Sequence, residues 1–425
     1  MTSKLFDMMC ETQRWQELLD NATAKGIDLC TIRELCFSSK RNEVLSLIQA
    51  DKYTIFPPHI ARIPKDTPGE FREVYVNEGL DRIILTLIND CLSELFKEMI
   101  HPSCKSYQKG IGTQAVVKEI ADKVADMQIA GQIGWKADFS KYFDNVSIDT
   151  IDFVLDTLEC QLGFAKGKEP VINLLRRYYH QDFYFDTAGE LQSKYQGLKQ
   201  GCAVASFLAN VCLYELDEYM SRKYAIYYRY SDDVVIVDKD ASQAIKEMNM
   251  IIAKHGVSLN PKKIEPLYSD KWFKFLGFLI KGNQITLSPR RVKSFQKEIE
   301  KRTIKSKCGS AVAAKRKVIQ YLYGGEYSWS TACLSVINVQ SDINELNKFI
   351  MDCIRACETG KKRIGGLGSV TNLPDKTILR GKGRNVAANK EKMVHIEQYI
   401  TVGGMQKDLK ICRPVFETVV RDMMM

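Results

Sequence analysis

No uninterrupted apolar run in this 425-residue chain approaches the ~20 residues that a membrane span needs. Residues Met1–Asp20 lack the basic stretch, apolar run and small-residue cleavage site of a secretory leader. Cysteines number thirteen, an odd count in a long chain, whereas disulfide frameworks belong to short secreted ones. Reduced, largely buried thiols in a cytoplasm are therefore expected. Metal-ligand spacing is missing too: Cys353 and Cys357 form a C-x3-C pair with no second Cys or His pair, which argues against zinc there. Internal repeats and long low-complexity tracts are also lacking, so a solenoid is not expected.

What is present is the composition of a soluble globular protein, 45% hydrophobic, 27% charged and 10% aromatic. The length allows two or three cooperating subdomains around a substantial core. Sixty-one Lys and Arg against 52 Asp and Glu leave a net charge of +9, which suits a polyanionic partner or simply a basic surface.

Apolar spacing at Leu5, Met8, Trp15, Leu18 and Leu19 predicts a helical segment over 1–54, closed by Pro57-Pro58. Turn signals alternate with strand-like residues over Ile63–Val76, and an apolar stripe predicts a helix over about 81–100. Ile129–Phe139 reads as a strand ending in a carboxylate. Ser147–Leu162 reads as a helix capped by Ser147, Ser206–Met220 as a second helix, and Ala241–His255 as a third before Gly256. Between the last two, Ile226–Tyr230 and Val234–Val237 read as strands pinched around Ser231-Asp232-Asp233. From Ser288 the text turns basic and helical, with Phe295 and Ile299 available for a core, and Gly360–Arg384 is rich in Gly, Lys and Arg. Strands alternating with helices in this order predict an α/β or α+β sheet with helices packed on one face.

Two adjacent carboxylates at a tight turn are electrostatically unfavourable unless a cation lies between them. A solvated turn is the bland reading of Tyr230-Ser231-Asp232-Asp233, since Asp is common in turns. Asp138, at the end of an apolar strand, supplies a third carboxylate. Hard oxygen ligands of this kind suit Mg2+, which takes the rest of its shell from waters and phosphates. Two such ions clamp the attacking and leaving oxygens in phosphoryl transfer.

With these residues in view, the chain resembles a bacterial reverse transcriptase of the group II intron, retron and diversity-generating lineage. Asp138-Phe139-Ser140-Lys141-Tyr142-Phe143-Asp144 follows that family's strand-A text, and Tyr230-Ser231-Asp232-Asp233 matches its YxDD box. Gly197-Leu198-Lys199-Gln200-Gly201, running on to Leu208-Ala209-Asn210, resembles the segment that packs against the incoming nucleotide. Pro64-Lys65 with Arg72, then Ser106-Tyr107-Gln108-Lys109-Gly110, occupy the fingers blocks. Gly256–Lys263 resembles the block whose lysine lies near pyrophosphate, and Phe275-Leu276-Gly277-Phe278 the primer grip. Together these cover roughly residues 60–280 in family order.

The resemblance implies a right-hand polymerase: an N-terminal helical segment (1–54), interleaved fingers and palm (55–285), a helical thumb (286–359) and a basic extension (360–425). It implies Asp138, Asp232, Asp233 and Lys263 as catalytic, and Asp138, Phe139, Asp232 and Asp233 as holding two Mg2+ or Mn2+ ions. Lys65, Arg72, Phe139, Phe143, Gln200, Gly201 and Tyr230 would surround the deoxynucleotide, with Phe143 beneath the sugar as a bar to a 2′-hydroxyl. Phe275, Leu276, Gly277, Arg290, Arg291, Lys293 and Lys297 would contact nucleic acid, where a basic helix gives affinity without sequence information.

Departures refine the reading. Ala205-Ser206 replaces the usual Ser-Pro, and no Asn-Ala-x-x-His stands between Asp144 and Tyr195, which disfavours the diversity-generating and retron branches. Neither a paired-Cys endonuclease nor an RNase H carboxylate set follows the thumb. The analogy that fits is with unknown-group enzymes of antiviral defence, which copy a structured non-coding RNA encoded beside them into cDNA. A group II-like maturase, a template-independent DNA polymerase and an RNA-binding scaffold are the rival expectations.

Overall fold

The computed structural model describes residues 3–64, 69–127, 130–193, 197–306, 308, 310–325 and 328–359. In chain order the helices begin with α1 (Lys4–Cys10), α2 (Thr12–Asp20), α3 (Ala22–Lys25), α4 (Leu29–Phe37) and α5 (Lys40–Gln49). Strands β1 (His59–Pro64) and β2 (Phe71–Val76) come next, then α6 (Gly79–Leu95), α7 (Thr113–Asp126) and β3 (Gln132–Asp138). After them run α8 (Tyr142–Asn145), α9 (Ile148–Gln161), α10 (Pro170–His180), β4 (Phe183–Phe185), β5 (Leu191–Ser193), α11 (Ala205–Val211) and α12 (Tyr214–Lys223). The remainder comprises β6 (Ile226–Tyr230), β7 (Asp233–Val237), α13 (Ala244–Ala253), β8 (Glu265–Tyr268), β9 (Phe273–Phe275), β10 (Phe278–Lys281), β11 (Gln284–Leu287), α14 (Pro289–Arg302), α15 (Ala311–Tyr323) and α16 (Gln340–Thr359). This is the mixed α+β class the sequence predicts. Among the described residues no helix is long and apolar enough to cross a membrane.

The chain divides into two compact units, Met1–Ile111 with Ile133–Leu267, and Gly112–Gln132 with the chain from Tyr268 onward. The first is organised by a four-stranded sheet in the order β6-β7-β3-β8. Strands β6 and β7 form an antiparallel hairpin in which Tyr230 opposes Asp233, and β7 runs antiparallel to β3 so that Asp138 opposes Asp233. Val234, Ile236, Ala137 and Ile133 lie on one face of the sheet and are buried, which fixes the register: a slip of one residue would turn this apolar set to the opposite face. A second four-stranded sheet has the order β2-β1-β4-β5, with β1 and β2 antiparallel from His59↔Val76 to Pro64↔Phe71. The helices α1, α2, α4, α5 and α6 bring Leu5, Met9, Trp15, Leu18, Ile32, Leu35, Ile48 and Ile84 into the same apolar core as Phe139, Leu208 and Val234.

Several helix ends are legible as capping chemistry. Ser147 accepts from the amide of Thr150 and caps α9, as its sequence context implies. The expected helix over Ser206–Met220 is instead broken into α11 and α12. The physical reason lies in the carbonyls of Ala209 and Asn210, which accept side-chain hydrogen bonds from Arg229 at 3.0 and 2.8 Å. A buried guanidinium thus takes the acceptors that a continuous helix would use for its next turn.

In the second unit β9, β10 and β11 form an antiparallel sheet, and α7 packs on β10 and β11 with Val116, Val117, Ile120 and Ala121 buried. Helix α14 begins with Pro289 at its first turn after Ser288 and buries Phe295 and Ile299, the two positions the sequence offers for a core. The Phe295 ring lies 4.5 Å, centroid to centroid, from that of Trp329. The expected extension over 360–425, with its Gly360–Arg384 segment, lies outside the described residues.

Gly134, on β3 opposite Val237, has no room for a side chain: a Cβ there would lie 1.9 Å from the Ile236 carbonyl oxygen. Because that neighbour is backbone, Gly134→Ala is expected to destabilise the first unit by about 2 kcal/mol or more, the cost of overpacking. Urea unfolding monitored by circular dichroism checks this; an unchanged midpoint would contradict the packing.

Candidate active site

Three carboxylates meet at one end of the β6-β7-β3 sheet. Asp138 closes β3 and is 5% exposed, Asp233 opens β7 opposite it, and Asp232 sits in the two-residue turn between β6 and β7. Burial pushes the Asp232 carboxyl above the usual carboxylate range, and the negative charge of Asp138 pushes it further. Asp233 is raised to about 6, by burial first and then by Asp232. Neighbouring cations work the other way: Arg72 and Lys263 favour the ionised form of Asp232, and Lys136 that of Asp233. The cluster therefore carries negative charge that its surroundings only partly neutralise.

Several backbone contacts fix this geometry. The Phe139 amide donates to the Asp232 carbonyl at 3.0 Å, joining the end of β3 to the turn. The Ser140 amide donates to Ser258 at 2.8 Å, and the Asn260 amide to Asp138 at 2.8 Å, so the Gly256–Lys263 block runs beside the strand end. That course delivers Lys263, whose ammonium lies 2.6 Å from the Asp138 carboxylate. Burial acts to lower the Lys263 pKa, but the Asp138 bond and charge outweigh it, and the ammonium is held more firmly protonated than usual.

The turn itself departs from relaxed backbone. Ser231 has φ +60°, and Asp232 is not in the left-handed region, so only the first of the two turn residues has positive φ. A II′ hairpin turn has that signature and normally places glycine there. A non-glycine residue in this region costs roughly 1–2 kcal/mol. Lys141, Lys199, Tyr107 and Leu276, each inside one of the motif blocks, also have positive φ.

Beneath the turn lies a fully buried ion pair. Arg229 donates from Nε to Asp217 Oδ1 at 2.8 Å and from Nη2 to Oδ2 at 2.6 Å, a bidentate fork with both side chains wholly inaccessible. Its Nη1 also lies 3.3 Å from the Ser231 carbonyl oxygen. Asn210, whose carbonyl takes an Arg229 bond, exchanges hydrogen bonds with the Ser106 hydroxyl and carbonyl at 2.7 Å each. One network thus joins α11, α12, the turn and the Ser106 block.

The nucleotide-facing candidates fall as follows. The Leu198 amide donates to the Phe143 carbonyl at 2.7 Å, and the Tyr75 amide to the Gln200 carbonyl at 2.7 Å. The Gly197–Gly201 loop is therefore wedged between α8 and β2, and added Cβ atoms at Gly197 and Gly201 would meet backbone oxygens at 2.5 and 2.6 Å. Lys199, unexpected as a buried residue, is wholly inaccessible and donates to the carbonyls of Tyr178 and Gln181 at 2.5 and 2.6 Å. Burial lowers its pKa to about 8, while the Tyr178 ring 4.1 Å away favours the ammonium. Phe143 is half-buried, its ring edge-on to Tyr142 at 5.6 Å and to Tyr107 at 6.4 Å.

Not every expected residue is presented for binding. Phe139 is 1% exposed, so its ring belongs to the core and only its backbone borders the carboxylates. Tyr230 is half-buried at the end of β6. Arg72 is exposed on β2 opposite Ile63, and Lys65 lies outside the described residues. In the second unit Phe275 is buried, whereas Leu276 and Gly277 form a positive-φ turn. Arg291 packs on the Phe278 ring at 4.2 Å and is half-buried; Arg290, Lys293 and Lys297 are exposed on α14. The sequence reading missed Arg229, Asp217, Tyr107 and Lys199 as site residues. Only Tyr107 and Lys199 lay inside quoted motif blocks, and nothing local marked their partners.

Among the described residues no three His, Cys, Asp or Glu side chains are gathered as a ready-made metal cage. The donor set nevertheless fits magnesium. It is all carboxylate oxygen with excess negative charge, and magnesium uses one or two carboxylates with waters and phosphates rather than a closed protein cage. Asp138 and Asp232 are the residues placed to hold it, with Asp233 beside them.

A carboxylate cluster at a strand end and hairpin turn, with Asp138 buried and Asp232 and Asp233 half-buried, flanked by a lysine, is an arrangement suited to metal-assisted phosphoryl transfer. The family model for reverse transcriptase (RNA-dependent DNA polymerase) matches residues 63–280, slightly more than half of the chain, and the chain belongs to that family. Among solved structures it is similar to telomerase from Candida albicans in complex with a TWJ fragment of telomeric RNA, at 13% identity and TM-score 0.47, covering 89% of this chain and 62% of that one. Apo telomerase from Candida tropicalis is also similar, at 13% identity and TM-score 0.39, over 59% of this chain and 60% of that one. An insertion-loop deletion mutant of the RNA-dependent RNA polymerase of a human picorbirnavirus matches at 13% identity and TM-score 0.45, over 83% and 64%. The chain thus spans less than two thirds of each of these structures' length. No curated protein matches it.

The Arg229–Asp217 pair yields a direct test. Arg229→Met leaves Asp217 buried without its cation, which is expected to cost about 3–5 kcal/mol. Thermal melting should show the loss, and a melting temperature within a degree of wild type would refute the network.

Proposed function

We propose that this chain is an RNA-directed DNA polymerase, adding deoxynucleotides to a 3′-hydroxyl opposite an RNA template and releasing pyrophosphate. The observation that carries the reading is the convergence of Asp138 with Asp232 and Asp233 at the end of one sheet, locked by the β3–β7 register. Family membership over residues 63–280 supports it.

In this mechanism Asp138 and Asp232 would hold two Mg2+ ions, with Asp233 adding to the negative field. When bound, these ions supply Lewis-acid stabilisation of the attacking and leaving oxygens. The protein's own contribution is positioning and preorganised charge, with no covalent enzyme intermediate. Arg72 neutralises triphosphate charge with its planar fork. Lys263 releases Asp138 as nucleotide arrives and donates a proton to pyrophosphate. Gln200 and Gly201 border the nucleotide, and the Phe143 ring stands where a 2′-hydroxyl would clash. Exposed Arg290, Lys293 and Lys297 on α14 follow a nucleic-acid backbone.

The finer reading is that the template is a structured non-coding RNA encoded nearby and that the cDNA serves antiviral defence in the cytoplasm. Support comes from the basic composition of the chain and from its departures from the retron and diversity-generating patterns. Polymerase alone would be expected from any member of the family; the RNA that co-purifies with this chain identifies its template.

Two outcomes check the reading. Wild-type protein with its co-purified RNA, Mg2+ and labelled dNTPs should yield DNA complementary to that RNA. Asp232→Asn should reduce incorporation by about 10³-fold or more, reflecting several kcal/mol of lost charge stabilisation. Synthesis that survives removal of RNA would refute templating. Phe143→Ala should keep dNTP incorporation while lowering discrimination against rNTPs by at least roughly 10-fold, measured as the ratio of kcat/KM values. Unchanged discrimination would remove Phe143 from sugar selection.

A further inference from the structure

Tyr107 stands apart from the residues assigned above. It is 49% exposed, yet its backbone sits at φ +53°, a conformation that costs a non-glycine residue free energy. Its hydroxyl oxygen lies 3.1 Å from Ser231 Oγ, in the turn that carries Asp232. Its ring meets Phe143 edge-on, with centroids 6.4 Å apart. One side chain thus touches both the strained turn and the ring assigned to sugar selection.

The anchorage of Tyr107 is rigid. The preceding Ser106 is wholly buried and locked to Asn210 through both hydroxyl and carbonyl. The Lys105 amide donates to the Arg229 carbonyl at 2.8 Å, and the Gln108 side chain donates to the Cys104 carbonyl at 2.5 Å. Held on this base, the Tyr107 hydroxyl engages the Ser231 hydroxyl, while the Arg229 guanidinium lies 3.3 Å from the Ser231 carbonyl oxygen. The hydroxyl and the carbonyl of a residue with positive φ therefore both have partners, which helps to hold the turn.

Building on the polymerase reading, we propose that Tyr107 is a positioning residue with two separable effects. Its hydroxyl fixes the Ser231 turn and so the placement of Asp232; its ring fixes the Phe143 ring and so the choice of sugar. Neither effect requires Tyr107 to take part in bond making.

The test is a double-mutant cycle on the full chain. Tyr107→Phe removes only the hydroxyl and should lower kcat by roughly 3- to 10-fold, the loss expected for one hydrogen bond, leaving KM for dNTP unchanged. Ser231→Ala should do the same, and the double variant should lose no more than either single one. Tyr107→Ala should in addition erode discrimination against rNTPs, which Tyr107→Phe preserves. Multiplying losses in the double variant, or intact discrimination in Tyr107→Ala, would overturn the proposal. Backbone hydrogen exchange over residues 230–233 gives a readout independent of catalysis. Faster exchange in Tyr107→Phe than in wild type supports the brace, and identical exchange overturns it. A wild type that incorporates no dNTP would count against the polymerase reading instead, and the exchange comparison would still judge the brace.

Discussion

The mutual repulsion of Asp138, Asp232 and Asp233 is the constraint around which the first unit is built. Burial and like charge raise Asp232 and Asp233 above ordinary carboxylates, so the folded chain holds these groups together against their own electrostatics. Such an arrangement persists only when the surroundings over-determine it. Here they do: the β3–β7 ladder sets Asp138 opposite Asp233, the Phe139 amide binds the Asp232 carbonyl, and Lys263 sits on Asp138.

The support beneath is ionic as well as apolar. Arg229 and Asp217 are completely removed from water, an arrangement in which desolvation can cancel the Coulombic gain. What the pair adds is geometry. The same guanidinium occupies the last carbonyls of α11, ends that helix, and reaches toward Ser231. Tyr227 donates to the same Asp217 carboxylate at 2.7 Å, so β6 is tied to α12 at two positions. Through Asn210 the Ser106 block is joined to this base.

Much of this was legible because it is local. The strands Ile226–Tyr230 and Val234–Val237 follow from a run of apolar and aromatic residues interrupted at Ser231-Asp232-Asp233, and Asp138 from its place at the end of an apolar strand. Phe295 and Ile299 were readable from helical spacing. What was not legible depends on partners distant in sequence. Arg229 within Tyr-Tyr-Arg-Tyr reads as an outward-facing strand residue, and Asp217 as one more acid on a helix surface. Only their meeting makes both core residues and breaks the helix that the pattern over Ser206–Met220 predicts. The same holds for how Lys199 and Arg291 are held, since the carbonyls and the aromatic ring they meet come from elsewhere in the chain.

If the carboxylate cluster is an arrangement held for a cation at a cost to the fold, stability should show it. Thermal melting of wild type and Asp232→Asn, each in chelator and then in excess Mn2+, measures this directly. The account requires Asp232→Asn to melt higher than wild type in chelator, because one buried charge is gone, and Mn2+ to raise the wild type markedly more than the variant. Equal or lower melting of Asp232→Asn in chelator, with identical Mn2+ shifts for both proteins, would contradict it.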